Sequence, residues 1–430
     1  MKKIYLMLAL ILLMFSLSIV SASEDVSVSN DTLCMSDDLS VLDKSVDNNV
    51  MDDSNKLMAE NDDSLGVASQ TDKLTASKNT TSDVASNTTV NNTNKTNETP
   101  VKKSKPAKPA KVITKNIKSE YGTVENYNVK VLDENSKPIE GQKVKVSLGA
   151  ASVEKYTDAN GIATFTCKCK AGSYVLKYKV GTLTGSNTYV VKNSVKLEIL
   201  KWGLKGDVSK NTLIKKNMPN NAWVKKAVTA TKKGIPLLTI KGGSGKVVFM
   251  TAGVHGNEIS SQVAAMKMID YLTTHPIKGT VYFMPFVNVK AISKKVRYTD
   301  KDFNRIAHKS GTIPNKIVKL VVRYECDAYG DFHTTKPGGV PGKNIVMGSK
   351  TPAKQSEKLT KYIAKKCNVN QKIYKYAGEQ YPGGINDNVN KKGIPAVICE
   401  VMLPHNTVTT KTVKTSYNMM KYLLKYYAIL

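Results

Sequence analysis

The stretch VVFMTAGVHGNEISSQVAAMKMIDYLTT, residues 247–274, decides the fold of the C-terminal part of the chain. Its first six residues, Val247 to Ala252, form an apolar run of strand length. From Ile259 onward apolar residues return at helical spacing (Ile259, Val263, Ala264, Met266, Met268, Ile269, Leu272), and the helix must end before Pro276. Gly253 and Gly256 let the intervening backbone turn sharply. Further strands are predicted at Val281–Val287, around Cys326–Phe332 and at Pro395–Met402. Strands alternating with helices predict an α/β domain over residues 194–430, a mixed and largely parallel sheet with helices on both faces and ligands at the carboxyl ends of its strands.

The chemistry-bearing residues fall at those ends. His255 and Glu258, three apart in the turn, can point at one ion, although such a pair alone is also ordinary polar surface. His333, in an Asp331-Phe332-His333 run expected directly after the third strand, completes a His, Glu, His set and leaves a fourth position for water. Asp331 either accepts the second imidazole proton or caps the strand end. Arg297 and the run Asp302-Phe303-Asn304-Arg305 offer planar guanidinium groups where lysine otherwise dominates, suited to a carboxylate and a developing oxyanion. Glu400 is a lone carboxylate in the apolar segment Ile394–Met402. It is either a group tuned for proton transfer or half of a structural ion pair.

Together, G-x-H-G-N-E at 253–258, R-x(6)-N-R from Arg297 to Arg305, D-x-H at 331–333 and G-I-P-A-V-x-x-E ending at Glu400 resemble the zinc carboxypeptidase (M14-like) superfamily, most closely its succinylglutamate desuccinylase/aspartoacylase-like branch, over about residues 247–402. The resemblance implies one Zn2+ per chain held by His255, Glu258 and His333. It further implies substrate carboxylate binding by Asn304 and Arg305, carbonyl polarisation by Arg297, and Glu400 as general base and then acid. The chain departs from the family at Asn288-Val289, where Asn-Pro is usual, and at Phe303 in Asp302–Arg305, where Leu is usual. A substrate-side tyrosine of some relatives could be Tyr374, Tyr376 or Tyr381.

Upstream, Lys2 and Lys3 precede an apolar run from Ile4 to Val20 that ends in Val20-Ser21-Ala22, so residues 1–22 read as an export signal, or as an N-terminal anchor if uncleaved. Residues 23–111 are predicted to be a disordered Asn/Thr/Ser-rich stalk, with N-x-T acceptors at Asn30, Asn79, Asn87, Asn91, Asn94 and Asn97 and a stiffer Lys/Pro linker at Lys102–Lys111. Residues 112–193 alternate with period two between turn signals (YNVKVLDENSKPIEGQKVKVSL, KYTDANGIATFTC, GSYVLKYKV), which predicts a β-sandwich. Pro138, Gly141 and Thr157–Gly161 resemble the turns of bacterial and archaeal Ig-like surface modules, which serve as spacers or adhesive domains.

Charge is divided: residues 1–100 hold 7 Lys/Arg against 15 Asp/Glu, net −8, so with a chain total of +29 the remainder carries +37. A basic body outside the cell suits an anionic wall polymer or lipid surface, or is a solvated lysine-rich face; nucleic acid is not an extracellular partner. Six irregularly spaced cysteines do not make a disulfide scaffold, and Cys167-x-Cys169 without a second pair does not make a metal site. Gly242–Lys246 is read as a turn because it precedes the strand instead of following it. With neither G-x-S-x-G nor H-E-x-x-H, serine hydrolase and classical metalloprotease readings have no support. His275, His308 and His405 are expected to be exposed or satisfied in the core.

The functional expectation is an exported, cell-surface zinc amide hydrolase acting on peptides, such as the cross-links of a wall of archaeal pseudomurein type. Membrane contact is expected only through an uncleaved signal. The alternatives are an N-acyl amino acid deacylase and an adhesin carrying an inactive hydrolase domain.

Overall fold

The computed structural model describes residues 32–34 and 107–430; the export signal and most of the stalk expected in the sequence lie outside them. Residues 111–192 form two facing sheets. The first contains β1 (Thr32–Cys34), β2 (Lys111–Ile113), β4 (Glu125–Leu132) and β7 (Ile162–Lys168), in the order β1-β7-β4-β2. The second contains β3 (Ile117–Glu120), β5 (Lys143–Leu148), β6 (Ala151–Tyr156), β8 (Gly172–Val180) and β9 (Leu183–Lys192), in the order β3-β9-β8-β5-β6.

Tyr127, Val129 and Phe165 of one sheet share a single buried cluster with Val146, Leu176 and Tyr189 of the other. This is what period-two alternation produces when one face of each sheet is covered. The turn before β7 is built by Asp158, whose Oδ1 accepts from the backbone N–H groups of Asn160 (2.9 Å) and Ile162 (2.8 Å). Gly161 takes a φ of +72° there, and a Cβ on it would stand 2.7 Å from Val131 O. Cys167 and Cys169 are both buried in this core.

Strand β1 corrects the disorder expected from Ser23 to Lys111. Thr32, Leu33 and Cys34 pair in parallel with Thr166, Cys167 and Lys168, and Leu33 is 1 % exposed in the sandwich core. Averaged over an Asp/Asn/Ser-rich segment, one leucine carries no weight; a free sheet edge and an apolar slot give it a place.

Residues 194–430 form a mixed eight-stranded sheet of β10 (Ser194–Leu200), β11 (Ile235–Lys241), β12 (Val247–Ala252), β13 (Thr280–Met284), β14 (Ala328–Thr335), β15 (Ile345–Thr351), β16 (Asn370–Tyr376) and β17 (Ala396–Met402). Their order is β10-β11-β13-β12-β14-β17-β15-β16. The centre, β13-β12-β14-β17, is parallel, whereas β10/β11, β11/β13 and β15/β17 are antiparallel, so the antiparallel share is larger than the sequence suggested.

β12 is apolar throughout because both faces are covered. Val248, Met250 and Ala252 join the cluster under the helices Ile259–Thr274 and Thr410–Tyr426, while Phe249 joins the opposite one under the helix Ile313–Arg323. β14 runs through His333 to Thr335, held by its ladder to β17, so His333 lies inside the strand and not after it as the sequence reading had it. No helix among the described residues is long and apolar enough to cross a membrane.

Candidate functional site

The site is assembled where β12, β14 and β17 end. Gly253 leaves β12 with a φ of +71°, and Gly256 is packed so closely on the backbone of Ala291 that a Cβ would stand 2.2 Å from its carbonyl carbon. Only glycines permit this turn, and it delivers His255 and Glu258 inward. Asp331 and His333, two apart on β14, share a face, and the parallel register sets Glu400 of β17 beside His333.

His255 Nδ1 lies 2.8 Å from Glu258 Oε1, and His333 Nδ1 lies 2.8 Å from Glu258 Oε2. The three side chains are almost wholly buried, and one donor atom from each falls within 4.8 Å of the others. The outward ring nitrogens are also held: His255 Nε2 is 2.9 Å from Asp302 Oδ1, and His333 Nε2 is 2.9 Å from Asp331 Oδ2. This donor set fits a zinc ion. Two imidazole Nδ1 atoms and one carboxylate converge, Asp302 holds the His255 ring from behind, and the Asp331 carboxylate stands at ion-pair distance from the His333 ring. Of the two readings of Asp331, the imidazole partner is the observed contact, and its Oδ1 also accepts from Thr251 Oγ1 at 2.8 Å.

Burial alone would raise the Glu258 carboxyl, but the two imidazoles outweigh it and hold it well below its ordinary value. Burial opposes charge on His333, yet Asp331 and Glu258 raise it well above the usual imidazole value; Glu258 and Asp302 raise His255 in the same way. Glu400 differs. Burial pushes its carboxyl up to about 8, with His333 pulling the other way, and its Oε2 has no hydrogen-bond partner. Among the described residues no cation forms an ion pair with it, and it lines the cleft wall.

Arg297 donates from Nη1 to Glu258 Oε1 at 2.9 Å, and its Nη2 lies 3.5 Å from Asp302 Oδ2. Asn304 is already engaged: its Oδ1 accepts from Ile385 N at 3.2 Å and its Nδ2 is 3.1 Å from His333 Nε2. The Arg305 guanidinium stacks 3.9 Å from the ring centre of Tyr381. A cleft of about 540 Å3 opens over these groups, lined by His255, Arg297, Arg305, His333, Tyr381 and Glu400 among others. Tyr374 also lines it, whereas Tyr376 does not and is 52 % exposed.

Two contributors were missed in the sequence. Asp302 had been read only as part of a substrate-binding run, yet it clamps His255 from 47 residues away. His405 bridges the two ligand segments: Asn257 Nδ2 donates to its Nδ1 at 3.2 Å and its Nε2 donates to Thr334 O at 3.1 Å. No local pattern marks it, because its partners come from β14 and from the turn after β12.

Residues 244–338 match the model of the succinylglutamate desuccinylase/aspartoacylase catalytic domain, and the match ends just past His333. Among curated proteins, none matches the chain. Among solved structures, a succinylglutamate desuccinylase from Silicibacter sp. TM1040 is similar at 17 % identity and a TM-score of 0.39, over 46 % of this chain and 61 % of that one. The ectoine utilization protein EutE (DoeB) from Ruegeria pomeroyi gives 18 % and 0.39, over 46 % and 64 %. Csd4 from Helicobacter pylori, a D,L-carboxypeptidase in an mDAP-bound form, gives 14 % and 0.35, over 50 % and 54 %. The chain spans about three-fifths of the length of the first two.

Proposed function

We propose that the protein is a zinc-dependent amide hydrolase of the cell surface, with His255, Glu258 and His333 as ligands and Glu400 as general base. The observation that carries this reading is the pairing of a buried His, Glu, His donor set with a partnerless carboxylate on the adjacent strand, both facing one cleft. A zinc ion at these donors would supply a Lewis acid that polarises a carbonyl and acidifies water.

The chain does the rest. Glu400, its carboxyl raised towards neutrality, takes a proton from water and returns it to the leaving amine. Arg297, at the mouth of the donor set, holds the developing oxyanion. Arg305, preorganised by stacking on Tyr381, grips a substrate carboxylate, and Asn304 keeps His333 and the cleft wall in register. Tyr374 and Tyr381 are the substrate-side tyrosines.

Peptides are the favoured substrates. The export signal read in residues 1–22, the stalk and an Ig-like spacer would carry the catalytic domain out to a wall, where a basic surface suits an anionic polymer. Deacylation of N-acyl amino acids is the second reading, favoured by the family match over residues 244–338. Mass spectrometry of products from zinc-loaded protein, given wall peptides and N-acyl amino acids with Glu400→Gln as control, chooses between them. Release from neither class, with zinc bound, would leave the adhesin reading.

A further inference from the structure

Behind the donor set lies a buried polar chain that the proposed chemistry leaves unused. Tyr329, Asp331 and His333 are alternate residues of β14 and share one face, and the parallel register puts Thr251 of β12 beside Asp331. Thr251, Tyr329 and Asp331 are each 0 % exposed. The Thr251 hydroxyl donates to Asp331 Oδ1 at 2.8 Å and lies 2.6 Å from the Tyr329 hydroxyl. A threonine has one proton to give and a carboxylate can only accept, so the direction is fixed: Tyr329 donates to Thr251, and Thr251 to Asp331. Burial and the nearby Asp331 raise the Tyr329 phenol well above its ordinary value, which keeps it a donor. Its ring is packed against Phe249, with ring centres 6.2 Å apart.

The far end of this chain meets a metal ligand. Asp331 Oδ2 stands at ion-pair distance, 2.9 Å, from His333 Nε2 but is itself hydrogen-bonded to nothing. Among the described residues, the Thr251 hydroxyl is therefore the one hydrogen bond that orients this carboxylate. Asn304 Nδ2, 3.1 Å from the same Nε2, asks for the opposite tautomer: an amide N–H needs a bare ring nitrogen, whereas a carboxylate needs an N–H. A neutral His333 whose Nδ1 faces a metal must carry its proton on Nε2, the form that Asp331 favours. We propose that Thr251 and Tyr329 are positioning residues of the metal site: their directed hydroxyl chain sets the Asp331 carboxylate behind His333 and selects the tautomer that leaves Nδ1 free for zinc. If the two hydroxyls only satisfied each other in the core, zinc affinity would not follow them.

The proposal rests on the zinc reading of His255, Glu258 and His333. Zinc affinity of the full chain is measured by competition with a chelator, alongside the melting temperature of the metal-free protein and the visible spectrum of its cobalt(II)-substituted form. Thr251→Val, which keeps the shape and deletes the hydroxyl, should weaken zinc binding by about 10–100-fold and change the cobalt spectrum. Tyr329→Phe, which removes the oxygen at the far end, should act in the same direction and by less. Thr251→Ser, which retains a hydroxyl, should keep most of the affinity. Thr360→Val, at a buried threonine of the helix Gln355–Cys367 whose hydroxyl has no partner, should leave affinity unchanged. Wild-type affinity in Thr251→Val, or in Tyr329→Phe if the valine variant does not fold, would overturn the proposal, whatever happens to the melting temperature. So would a loss of affinity as large in Thr251→Ser as in Thr251→Val. A wild type that takes up no zinc would instead remove the zinc reading itself, and this proposal with it.

Discussion

The two β-rich regions of this chain treat buried polarity in opposite ways. In residues 111–192 the one buried polar side chain among the described residues is Thr157, whose hydroxyl donates to Ile139 O. In residues 194–430 His255, Glu258, Asp331, His333, Asn304, Asn386 and Asp387 are all buried, and they gather at the carboxyl ends of parallel strands. Burying a charge is tolerated only where it is paired or has a task. The contrast therefore sets a plain scaffold apart from a region that gathers buried charge at one cleft, and each of the following experiments can break it.

The largest effect is expected at Glu400. Glu400→Gln should lower amide hydrolysis by about 10³-fold, within the range of a general base, while zinc content and melting temperature hold. A variant that lost its zinc or unfolded would make Glu400 a structural residue. Next, Phe165→Ala in the sandwich, at a fully buried position, should cost about 3–5 kcal/mol in the unfolding transition of that region and leave kcat/KM of the folded protein unchanged. A matching loss of turnover would mean that the two regions work as one. Asp302→Ala should then weaken zinc binding by about 10–100-fold, read by competition with a chelator, because it frees the His255 ring. Unaltered affinity would reduce Asp302 to a cap of its own turn.

The smallest effect is a pH dependence. The raised His255 and His333 values mean that the metal-free site gains stability from protonated imidazoles, fully present below the unfolded imidazole value near 6.5 and lost as pH rises through the folded values. Zinc requires the same rings deprotonated. The zinc-induced gain in Tm should therefore be larger at pH 8 than at pH 6, by a few degrees as an order of magnitude. A gain independent of pH would place the metal elsewhere.

What could be read in the sequence was what is local or strongly periodic. His255 and Glu258 sit three residues apart in a glycine turn, between an apolar run of strand length (β12) and a helix of clear period. Glu400 was visible as a carboxylate in an otherwise apolar run. The edge strand β16 was missed because its residues are mostly exposed and show no alternation, and β11 because Pro236 and Thr239 interrupt its apolar run. Asp302 and His405 act through contacts made across the fold, where neither spacing nor composition leaves a mark.

The most direct test of the whole account is to strip the full chain of metal, restore zinc stepwise, and follow amide hydrolysis alongside bound metal. The account predicts no turnover in the stripped protein and a linear rise that saturates at one zinc per chain, with His333→Ala failing to recover. Full turnover without metal, or equal recovery in His333→Ala, would contradict it.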